Sequence, residues 1–165
     1  MNKEELVKSY LYRHYGASKY IPEKVQMPSC ECMLNGKPDN GLWASPLIRK
    51  AYCWKDFCMD KKFEVESLKQ HFDFKLSAEA RVLVLDRNIA PVYIDRKQWA
   101  TNLLNMERIV AECWDAIYYD KGELGRTMEY WDVTSIVIFN PDIVIPVKTW
   151  KGLFAKWTSG LLRRI

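Results

Sequence analysis

The apolar positions of this chain change period several times, and each change marks an element. Asn2 to Lys8 reads as a short helix, and the apolar-aromatic segment Ser9 to Tyr15 as a strand. Ile21 to Asn40 collects Pro22, Pro28, Gly36 and Pro38, which is loop chemistry. Long loops in compact domains often serve as lids or binding loops. Gly41 to Ser45 is a short strand stopped by Pro46, followed by a helix or two up to Cys58 and another over Phe63 to His71. Phe72 to Leu76 is strand-like, and Ala80 to Asp86 is a continuous apolar run, the mark of a strand covered on both faces. Leu103, Met106, Val110 and Cys113 form the stripe of a helix ending near Trp114. Asp115 to Tyr119 is again a strand, and Lys121 to Tyr130 a short helix.

The clearest strands come late. Ser135 to Asn140 and Ile143 to Val147 are joined by a tight turn at Asn140-Pro141-Asp142. Pro146 predicts that the second lies at a sheet edge, because a central strand needs that amide proton. Trp150, Leu153, Phe154, Trp157 and Leu161 then fall at helical spacing and predict a closing helix. Strands at both ends with helices between them give an α+β class, in one domain spanning residues 1–165.

Composition narrows the functional classes. A chain of 165 residues that is 48% hydrophobic and 28% charged can close a real core, which excludes a disordered or fibrous protein. The net charge of +4 is scattered among acidic residues, unlike the basic face of a typical nucleic-acid binder. No apolar run reaches the roughly 18 residues of a membrane span. The first residues are charged and lack an apolar signal core, so a cytoplasmic protein is expected, with five unpaired cysteines. Cys30-x-Cys32 and Cys53-x4-Cys58 lack the common zinc-knuckle spacing, and no metal is expected. Seven Trp, nine Tyr and six Phe supply core material or stacking surfaces for planar ligands.

Two segments carry candidate chemistry. His14 stands at a strand end, followed by Tyr15, Gly16, Ala17 and Ser18, where a ring nitrogen can offer a directional hydrogen bond and the glycine lets a ligand approach the backbone. Trp43, in Gly41-Leu42-Trp43-Ala44-Ser45-Pro46, is followed at 9 and 11 residues by Tyr52 and Trp54, which could flank a flat ring. His71, beside charged Lys69, is expected to be structural. There is no Gly-rich phosphate loop, HExxH or Gly-x-Ser-x-Gly.

Together these segments resemble the histidine-tyrosine-glutamate branch of the ADP-ribosyltransferase superfamily. The likeness runs through His14 to Ser18, Gly41 to Ser45 with Trp54, and Ser135 to Pro141. The chain is also similar to a group of phage and bacterial proteins sharing Lys-Pro-x-x-Gly-Leu-Trp-Ala-Ser-Pro and Trp-Asp-x-x-Ser-Ile, here Lys37 to Pro46 and Trp131 to Ile136. The resemblance implies a split mixed or antiparallel sheet with inserted helices, NAD as substrate, and transfer of ADP-ribose to a protein or nucleic-acid target. It implies that His14 bonds the adenosine ribose, that the backbone at Tyr15 or Gly16 holds the nicotinamide carboxamide, and that Trp43 and Trp54 sandwich the ring. Ser18 and Ser45 complete the matched motifs. The family's glutamate normally opens the late strand, where this chain has Ser135; Asp132 and Glu129 are the nearest carboxylates. A catalytically inactive nucleotide- or protein-binding member of the fold is the alternative, including a phage-encoded inhibitor of bacterial defence that docks through its aromatic, basic tail.

Overall fold

The computed structural model describes residues 1–28, 38–49, 51–96, 102–125 and 131–147. The proposed tail helix and Glu129 lie outside them. Helix α1 (Lys3–Lys8) starts on a reciprocal cap: the Asn2 side chain accepts from the Glu5 amide, and Glu5 accepts from the Asn2 amide. Strand β1 (Tyr12–Tyr15) follows, shorter than the Ser9 to Tyr15 segment, because α1 is closed by Ser9 and Tyr10 bonding back to its carbonyls. Then come β2 (Leu42–Pro46), α2 (Trp54–Lys61), a 3-10 turn at Val65–Lys69, and β3 (His71–Leu76). His71 therefore opens a strand and does not end a charged helix.

Strand β4 (Val82–Leu85) leads into α3 (Ala90–Tyr93) and a small antiparallel pair, β5 (Ile94–Arg96) with β6 (Asn102–Leu104), which the sequence pattern did not predict. Helix α4 (Met106–Ala111) buries Met106 and Ile109, whereas Leu103 belongs to β6 and Cys113 is exposed at a positive φ of 57°. The expected stripe was thus one residue out of register at its centre. Next stand β7 (Ala116–Tyr119), α5 (Lys121–Leu124), β8 (Ser135–Ile138) and β9 (Val144–Val147).

Seven strands make one mixed sheet in the order β4-β7-β8-β2-β1-β3-β9. Only the β4–β7 pair is parallel. The turn at Pro141–Ile143 does not fold β8 onto β9: β8 is central, between β7 and β2, while β9 crosses to pair with β3 at the far edge. That edge position is the one Pro146 requires. The sheet is α+β in class and buries apolar residues on both faces. One face packs Val7 of α1 with Tyr12, Phe74, Ile136 and Ile138; the other packs α3, α4 and α5 with Leu85, Ile117, Tyr119 and Val137. Among the described residues no helix is long and apolar enough to cross a membrane.

Candidate functional site

Beyond the reach of α3 and α4, the second face continues across β2, β1 and β3, and there it turns polar. Arg13 stands opposite Ser45 on one side and Asp73 on the other. The register Ala44↔Ile136 brings Ser135 beside Ser45 at the next step, so one polar row crosses four strands. Arg13 donates from Nε to Asp73 Oδ1 at 2.6 Å and from Nη2 to Oδ2 at 2.8 Å. Asp73 is buried, and this two-point pair is what lets a carboxylate lie inside the sheet. Its hydrogen bond to Asp73 also raises the Arg13 pKa further. Ser45 accepts from the amide of Trp54 at 3.1 Å and so fixes the start of α2; the Ser135 hydroxyl donates to the Val133 carbonyl at 3.3 Å.

Strands β1 and β2 pair at only two positions, Tyr12↔Pro46 and Arg13↔Ser45, and then separate. The ring of His14 bridges the gap: Nδ1 lies 2.7 Å from the Trp43 carbonyl oxygen. A carbonyl only accepts, so Nδ1 carries the proton and Nε2 of the neutral ring keeps an acceptor lone pair. Burial lowers the His14 pKa, which favours that neutral form. The amide of Gly16 is committed to the Gln70 carbonyl at 2.8 Å. By strand alternation the N–H and C=O of Tyr15 then face the β2 side, where the β1–β2 ladder has ended. Of the two backbone positions expected to hold a ligand, Tyr15 is the one so oriented.

A cavity of about 370 Å³ opens at this separation. Its floor is the sheet, with His14, Tyr15, Gly16, Trp43, Ser45 and Ser135. Trp54, from the start of α2, forms part of the wall, and Trp131 and Asp132, from the segment before β8, form another part. Ser18, exposed in the bend after β1, is not among the lining residues. The rings of Trp43 and Trp54 are each backed by a different aromatic. Trp43 meets Trp131 edge-on at 5.4 Å, and Trp54 stacks on Phe57 at 5.3 Å. Tyr52 is exposed, with its hydroxyl on Asp60 at 3.0 Å, and does not line the cavity.

Seven lining residues were not among the candidates read from the sequence, and Arg13, Trp131, Glu64 and Ser67 are the polar or aromatic ones. Arg13 follows from strand alternation once β1 is known. Trp131 is buried with its indole N–H unbonded. Glu64 and Ser67 come from the turn after α2, where no periodicity signals a site. Among the described residues no cluster of His, Cys, Asp and Glu could hold a metal ion.

No family model, curated protein or solved structure matches this chain.

Proposed function

We propose that the chain binds NAD in this cavity and is an ADP-ribosyltransferase-like protein. One observation carries the reading: eight positions singled out in the sequence, scattered from His14 to Ser135, meet around a single cavity where two strands part. A volume of about 370 Å³ falls in the range of small-ligand sites and suits the nicotinamide end of a dinucleotide. The half-buried indoles of Trp43 and Trp54 offer stacking surfaces, the neutral His14 ring offers an acceptor suited to a ribose hydroxyl, and the backbone of Tyr15 offers a donor and acceptor suited to a carboxamide.

The chemistry would be glycosyl transfer. The bond between nicotinamide and ribose breaks, its electron pair leaves with neutral nicotinamide, and a nucleophile on the target collects the sugar. Positive charge develops on the ribose in the transition state, so a carboxylate beneath it lowers the barrier. Ser135 occupies the position of the family's glutamate and cannot supply that charge. Asp132 lines the same cavity and is the carboxylate assigned here to the role. Should Asp132 not serve, the protein is the non-catalytic nucleotide binder of the same fold.

Titration with NAD, followed by tryptophan fluorescence and by chromatography of free nicotinamide, tests both steps. Saturable quenching is expected, with affinity weakened about fivefold to a hundredfold by Trp43→Ala, the loss of one stacking partner worth roughly 1–3 kcal/mol. Nicotinamide release that disappears in Asp132→Asn, with binding retained, marks an active enzyme. Binding without release from the wild type selects the non-catalytic form. Absence of any binding overturns the reading.

A further inference from the structure

The turn between α2 and β3 is built at a conformational cost. Lys62 and Glu64 both have positive φ, 53° and 44°, a region that residues with a Cβ enter rarely. For Lys62 the reason is local, since it closes α2 by donating its backbone N–H to the Cys58 carbonyl. Glu64 has no helix end to close. Its backbone carbonyl caps the following turn, accepting from the Ser67 amide at 2.9 Å and the Ser67 hydroxyl at 2.7 Å, and a glycine would do that with less strain. The turn is held from below by Phe63, packed edge-on against Trp54 at 5.9 Å and Phe57 at 6.3 Å. The aromatic cluster that presents Trp54 to the cavity therefore also fixes Glu64 in its wall.

The charge brought there is not neutralised locally. Among the described residues the Glu64 carboxylate has no hydrogen bond or ion pair, and the one cationic side chain lining the cavity, Arg13, is held by Asp73. An exposed carboxylate lining the same cavity as Trp43 and Trp54 suits a planar group bearing positive charge, which both the ring quadrupoles and the carboxylate attract. Resting on the NAD-binding reading, we propose that Glu64 is a specificity-determining residue of this cavity, selecting the positively charged pyridinium ring of the oxidised dinucleotide over the neutral ring of the reduced one.

Calorimetric titration of the full chain with NAD and, separately, with NADH tests this, because the two share every other group. The oxidised form is expected to bind about tenfold more tightly, the order of one partly screened charge contact. Glu64→Gln, which keeps the side-chain shape, and Glu64→Gly, which removes the strain, should both bring the ratio close to one, mainly by loosening the oxidised form. The melting temperature of Glu64→Gly should not fall, which separates a residue kept for its ligand from one kept for the fold. Equal affinity of the wild type for both forms overturns the proposal, and so does a preference that survives both substitutions, which would come from ring shape. If neither form binds the wild type, the NAD reading itself fails.

Discussion

At the scale of single residues, His14 connects the fold to the site. Its Nδ1–H replaces a missing ladder bond by satisfying the Trp43 carbonyl, and its ring packs 5.1 Å from that of Phe72. Burial holds its pKa below the ordinary value of 6.5, so the folded state binds a proton less readily than the unfolded chain. The sign follows: this group leaves stability undiminished above pH 6.5, and stability falls as pH drops from there through the lowered folded value. Protonation also converts Nε2 from acceptor to donor, so ligand binding should weaken over the same range. An NMR titration of the two histidine rings should give His14 a midpoint under 6.5, and His14→Gln should flatten the pH dependence of NAD affinity there. A midpoint at or above 6.5 would mean that burial does not favour the neutral ring at this position. His14, Trp43 and Trp54 were legible in the sequence because strand ends, a glycine and paired aromatics leave local marks. The Arg13–Asp73 pair was not, because 60 residues separate its members and only the β1–β3 register makes them neighbours. Glu64 was illegible for another reason: nothing in a charged run announces which residue will take a positive φ.

At the scale of elements, one glycine follows β1 and another precedes β2, and their demands differ. Gly41 leads into β2 at φ +101°, and an added Cβ would lie 2.7 Å from Val137 Cγ2 and 2.9 Å from the Ile138 carbonyl oxygen. Gly16 follows β1 at φ +97° but has open space where a Cβ would point. Gly41→Ala should therefore cost both backbone strain and overpacking against β8, about 2–5 kcal/mol in total, whereas Gly16→Ala should cost only the strain, about 1–2 kcal/mol. Urea unfolding of the two variants checks the order; an equal loss would show that the approach of β2 to β8 is looser than described. Most strands were legible from apolar runs, and the edge position of β9 from Pro146. Their connection was not. The short turn after Asn140 suggests adjacent strands, yet Tyr20 donates to the Pro141 carbonyl at 2.7 Å, and the chain beyond the turn runs to β3 instead of back along β8. The β5–β6 pair was likewise hidden, since three-residue strands carry too little alternation to register.

At the scale of the molecule, the sheet divides the core in two while β8 belongs to both halves. Ile136 and Ile138 pack into the cluster under α1, and Val137 and Phe139 into the cluster under α3 and α4. Neither half can lose its packing without exposing one side of β8, and β8 pairs with β7 and β2. A single cooperative transition is therefore expected, with the cavity lost in the same step, because its floor is the sheet itself. Phe74→Ala, in the first cluster, and Leu85→Ala, in the second, are both fully buried truncations and should each cost about 2–5 kcal/mol. Each should shift the far-UV circular dichroism and tryptophan emission midpoints together, although Trp43 and Trp131 both report from the second side. If Phe74→Ala moves the dichroism midpoint and leaves the emission midpoint in place, the two halves unfold separately. The cavity could then survive on the β2–β8 half alone, and the parting of β1 from β2 would be a boundary between two units, not a cleft within one.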